Sequence, residues 1–104
     1  MSGPATTPAT FTMSVTETLA FPIDMSAYLS SGQSVASPTA TLVRLDTNVA
    51  VTLSDNPSTS GNVVTQIIRG SELVANERFR LTVNFTASPS SNIWAAELII
   101  VAVP

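Results

Sequence analysis

Cysteine, histidine and lysine are all absent from this chain of 104 residues. Without cysteine there is no disulfide and no thiolate site, and the redox compartment is left open. Without histidine, lysine or cysteine, every serine lacks the base that ordinarily activates a nucleophile, which argues against a serine-dependent hydrolase. Charge is scarce too. Four arginines and seven acidic residues give a net charge of −3, and charged residues make up 11% of the chain, against about 25% in an average soluble domain. Four scattered arginines on an acidic chain make no electrostatic footprint for nucleic acid. The longest apolar run, Leu98 to Val103, is far shorter than the ~20 residues of a membrane-spanning helix, so no membrane partner is expected.

Hydroxyls supply the polarity instead, with 14 serines and 14 threonines. Such a surface suits a β protein in an assembly better than a cytosolic enzyme. The length predicts one domain, in which about 65% of the unfolded chain's surface becomes buried. The opening MSGPATTPAT has two prolines and no periodic pattern. It lacks the basic start and apolar core of a signal peptide, so synthesis in the cytoplasm is expected. We take 1–10 as a flexible arm and 11–104 as the domain.

Apolar residues then recur at period two. Phe11, Met13, Val15, Leu19 and Phe21 predict a strand broken at Glu17 and ended near Pro22. Asp24 to Leu29 reads as a short helical turn capped by Asp24. Thr39 to Leu45 and Asn48 to Leu53 read as a pair joined by Asp46-Thr47-Asn48, since these residues suit turns. Ser54 to Asn62 is the most obvious loop, Val63 to Arg69 another strand, and 70–76 a connection with room for one helical turn. Glu77 to Thr86 and Ile93 to Val103 close the chain as a hairpin. No stretch of ten or more residues has helical period. The pattern predicts an all-β fold, an immunoglobulin-like β-sandwich of about six to eight antiparallel strands.

Each motif with chemical potential meets a simpler account. Asp46-Thr47-Asn48 approaches the Asp-Thr-Gly of dimeric aspartic proteases, which need two aspartates sharing a proton. Asn48 stands where that turn needs glycine, and the Gly-Arg signature that follows an apolar strand is missing, so a hairpin turn is expected. Asp55 and Asn56 offer oxygen donors, but calcium requires several converging carboxylates, and the acidic residues are spread along the chain. Asn84-Phe85-Thr86 matches the N-glycosylation pattern mid-strand and is read as chance. No catalytic residue, metal ligand or cofactor is expected.

The final strand breaks the pattern. Phe79, Leu81, Val83 and Phe85 alternate with Arg78, Arg80, Thr82 and Asn84, yet everything from Leu98 to Val103 is apolar. If Leu98 and Ile100 face the core, then Ile99, Val101 and Val103 lie on the outer face and need a cover. That cover is another subunit or the chain's own arm. Arg78 and Arg80, two apart, suit an acidic partner or a solvated face, and Trp94 suits the core or an interface. The candidate interface residues are therefore Ile99, Val101, Val103, Trp94, Arg78 and Arg80.

The segment FPIDMSAYLSSGQSVASPTATLVR, residues 21 to 44, resembles the opening of the immunoglobulin-like fiber–tail adaptor proteins of tailed bacteriophages. That opening is an aromatic-x-x-Asp-Trp-Ser-x-x-Leu segment, then a Gly/Asp turn and an Ile/Val-x-Ser strand. Phe21, Asp24, Ser26, Leu29, Gly32, Val35 and Ser37 match in order. IIRGSELVANERFRLTVNFTASPSS is similar to their second half. Met25 replaces the tryptophan, Gly70 lacks a second glycine after it, and Phe79 replaces a tyrosine. The resemblance, over about residues 17–104, implies a virion structural protein without catalytic residues. Its partners would be other virion proteins and further copies of itself, as a homo-oligomer. It does not separate tail from capsid decoration. The alternative is a carbohydrate- or cell-surface-binding immunoglobulin-like module using Ser54 to Asn62 and Ser88 to Asn92, and those loops contain no aromatic residue.

Overall fold

Period-two alternation becomes eight strands in a computed structural model that describes residues 9–104. They are β1 (Ala9–Ser14), β2 (Thr18–Asp24), β3 (Ser34–Arg44), β4 (Val49–Val51), β5 (Ser58–Ser60), β6 (Val63–Arg69), β7 (Arg78–Ser88) and β8 (Ile93–Val103). Two sheets form a β-sandwich, one ordered β1-β8-β7-β3-β4 and the other β2-β6-β5. With β1 set aside, the last, seventh, third and fourth strands face the second, sixth and fifth. That matches the G-F-C and B-E-D order of an immunoglobulin-like sandwich, with one extra strand beside the third and none outside the second. Five strand pairs are antiparallel, and β1 runs parallel to β8.

The inward sets meet across the sandwich. Phe79, Leu81, Val83 and Phe85 of β7 and Ile100 and Ala102 of β8 are buried with Leu42, Val64 and Ile68. Each large aliphatic side chain so buried contributes roughly 1.5–3 kcal/mol. Met25 is also fully buried, just before a 3-10 turn at Ser26–Tyr28. The Asp24 carboxylate accepts from the Ser26 N–H at 2.9 Å and from the Ser26 hydroxyl at 2.6 Å. These bonds hold its pKa below the ordinary carboxylate value.

Several boundaries differ from expectation. Residues 9 and 10 belong to β1 rather than to an arm; the rest of the expected arm lies outside the described residues. The pattern from Phe11 to Phe21 is two strands in different sheets, separated by Val15, Thr16 and Glu17. Pro22 lies inside β2, which its missing N–H permits on an edge strand. β3 starts at Ser34, five residues before Thr39. A bulge between Ala36 and Thr39, with Ser37 at φ 50°, shifts the register there. The inward side chain is Val35 before it and Leu42 after it, so the alternation changes phase and the early half is masked. Within Ser54 to Asn62, β5 pairs with β6 through Ser-Thr-Ser, a strand with no apolar pattern to announce it.

A candidate docking face on the five-stranded sheet

β8 lies between β1 and β7, so its outward side chains are flanked on both sides. Ile99, Val101 and Val103 are each half-buried. On one side Thr10, Thr12 and Ser14 of β1 stand beside them in register. On the other, Arg80 sits across from Ile99 and Arg78 across from Val101. Val43 of β3 continues the same row beyond Arg80. The result is an aliphatic stripe bordered by threonines and two arginines.

The two arginines differ. Arg80 Nε is 3.3 Å from Glu97 Oε2, with both side chains about two-fifths exposed. Such an exposed pair contributes little to stability, but it lays the guanidinium along the face. Arg78 is exposed and, among the described residues, is the one arginine without an ion-pair partner. Five of the six candidate residues thus share one face.

Trp94 is the exception. It packs against the core at one end of the sandwich, across from Phe85 on β7 and with its ring 6.2 Å from Tyr28. Tyr28 in turn meets Phe85 edge-on at 5.7 Å. Trp94 is an even-numbered residue of β8, like Leu98 and Ile100, so it faces inward with them and does not belong to the outer stripe. Two outward residues went unrecognised in the sequence. Val43 joins the stripe only because β3 and β7 pair. Ile93, 69% exposed at the start of β8, was open to counting back by twos from Ile99.

The other candidate positions hold structural contacts. Asp55 accepts from Arg69 at 2.8 and 3.1 Å, Nε and Nη2 each meeting one carboxylate oxygen. The hydrogen bond from Arg69 holds the Asp55 carboxyl below its ordinary pKa. Glu72 receives the Arg69 N–H at 2.8 Å and the Ser54 N–H at 2.6 Å, which ties the β4–β5 loop to the end of β6. Asp46 lies beside Arg44, and Asn48 turns the chain at φ 55°. Among the described residues no three Asp, Glu, His or Cys side chains converge as metal ligands. A groove of about 370 Å³ runs between the part of β3 beyond β4 and the β4–β5 loop, lined by Pro38, Ala40, Leu53 and Pro57. Compared with models of known protein families, with curated proteins and with solved structures, the chain has no match.

Proposed function

We propose that this chain is a non-enzymatic structural protein of a tailed-phage virion, a tail or fiber adaptor or a capsid decoration protein. It works by associating with other virion proteins and with copies of itself, and the outer face of the five-stranded sheet is its docking surface. The observation that carries this reading is the row Ile99, Val101 and Val103, aliphatic and only half-buried on a central strand. The resemblance of residues 21 to 44 to phage adaptor proteins supplies the setting. Three strands of 11 residues with β1 alongside make a face about 20 Å by about 35 Å, or about 700 Å². One partner's share of a standard interface is about 600–1,000 Å², and the face falls within that range.

The test begins with mass spectrometry of purified particles from a lysate encoding the chain, in which the protein is expected. Val101→Glu then places a carboxylate in the middle of the stripe, and its incorporation into particles should fall at least about tenfold. A chain missing from particles would refute the virion assignment. Undiminished incorporation of a folded Val101→Glu would refute the outer face.

A further inference from the structure

Among the described residues the two sheets end in four edge strands, and three of them are blunted. β4 and β5 are three residues long, and β2 carries Pro22 within it. The stretch of β3 beyond β4 holds Pro38 and the bulge. β1 has none of these devices: its six residues, Ala-Thr-Phe-Thr-Met-Ser, include no charge, no proline and no bulge. Natural edges this plain are templates for strand addition.

The hydrogen bonds show which groups on that edge are free. The Val15 N–H donates to the Val103 carbonyl at 2.9 Å. Backbone groups alternate sides along a strand, so odd-numbered residues of β1 bond to β8 and even-numbered ones point to the open edge. Glu17 satisfies Ser14 completely. Its carboxylate accepts the Ser14 N–H at 2.6 Å, and its N–H donates to the Ser14 carbonyl at 3.0 Å. Thr10 and Thr12, both exposed, are left, among the described residues, to offer their N–H and C=O groups outward. Between them sits Phe11, 43% exposed although its ring meets Phe21 edge-on at 5.5 Å.

We propose that β1 pairs antiparallel with β1 of a second copy across a twofold axis at Phe11, joining two five-stranded sheets into one of ten strands. In this register Thr10 faces the partner's Thr12 and Thr12 faces the partner's Thr10, giving four backbone hydrogen bonds. Phe11 stands directly across from the partner's Phe11 in the closer, non-hydrogen-bonded type of pair, which covers both rings. The inward and outward faces of the two sheets stay in phase. A register moved by two residues, centred on Thr12, would set Thr10 against the partner's Ser14, whose groups Glu17 already holds. The pairing is isologous and therefore closes at two copies. It uses the sheet edge, not the outer face, and does not rest on the virion reading.

The experiment measures sedimentation of the purified chain from about 10 μM to about 1 mM, together with two kinds of variant. Thr12→Pro removes an edge N–H where an edge strand tolerates proline. It should leave the circular dichroism of the monomer unchanged and weaken dimerisation at least about tenfold. Phe11→Cys should form a disulfide dimer under mild oxidation, because such pairs bring Cα atoms to about 4.5 Å, within disulfide range. The chain has no cysteine of its own, so the bridge is unambiguous. Ser14→Cys, about 20 Å from its counterpart in this register, should not crosslink. The proposal is overturned by a strict monomer at about 1 mM or by a Thr12→Pro dimer of unchanged affinity. Crosslinking as fast at Ser14→Cys or Thr12→Cys as at Phe11→Cys would also overturn it. Val101→Glu should leave this dimer intact while reducing particle incorporation, so the two surfaces fail separately.

Discussion

The Gly70 N–H donates to the Glu17 carbonyl at 2.7 Å, and the two backbones lie so close that a Cβ on Gly70 would collide with the Val15 and Glu17 carbonyls. The contact clamps the β1–β2 link against the 3-10 turn at Gly70–Glu72. That link carries the chain from one sheet to the other.

Gly70→Ala should therefore destabilise the fold by about 3 kcal/mol, because backbone rather than a flexible side chain must move. Urea denaturation measures the loss. Gly32 and Gly61 have open space around them, but both have positive φ, so alanine there should cost only about 1 kcal/mol.

Gln66 is the one fully buried polar side chain among the described core residues. Its Nε2 donates to the carbonyls of Asp55 at 2.8 Å and Ile67 at 2.9 Å. Gln66→Leu keeps the volume and removes Oε1, which is buried without a partner, but leaves both carbonyls without this donor, so the net loss should stay below about 1 kcal/mol. Amide exchange should also quicken around 54–57, where the loop loses its tether to β6.

Stability should be nearly flat between about pH 5.5 and 9, since the side chains that ordinarily titrate there, histidine and cysteine, are missing. Asp55 and Asp24 both have pKa values held below the ordinary 3.8, by hydrogen bonds from Arg69 and Ser26 respectively. A depressed native pKa adds stability above the unfolded value, and that stability is lost as pH falls from about 4 through the native value. Denaturant midpoints should drop in that range, and Asp55→Asn should make the drop shallower.

Trp94→Ala should cost about 2–3 kcal/mol, below the range for a fully buried tryptophan because the side chain is half-buried. On the proposed virion role, incorporation into particles should be unaffected once the lost stability is allowed for, since Trp94 faces the core. Tryptophan fluorescence of the unmodified chain reports the end of the sandwich where Tyr28 and Phe85 meet it.

Much of this architecture was legible wherever apolar residues alternate. β6, β7 and β8 fall within about two residues of the boundaries their patterns predict, because a two-layer fold forces one face of each strand into the core. Legibility failed where the local rule was broken. β5 has only hydroxyl side chains, the bulge at Ser37 and Pro38 puts the two halves of β3 out of phase, and Pro22 reads as a terminator unless its strand is known to be an edge.

By itself the sequence determined the two-layer all-β fold, the hydroxyl-rich surface and the odd-numbered aliphatic row of β8. Trp94 shares the inward parity of Leu98 and Ile100 in that strand, although it stood among the candidate interface residues. Tertiary structure alone decided that β1 runs parallel beside β8, that Arg80 lies across from Ile99, and that Val43 extends the stripe. It also decided that Glu17 holds the Ser14 N–H and C=O. Alternation is a local property of successive residues, whereas the neighbour of a strand depends on pairing across loops far apart in sequence. Residues 9–14 and 98–103 meet at opposite ends of the chain, and no short-range pattern encodes that meeting.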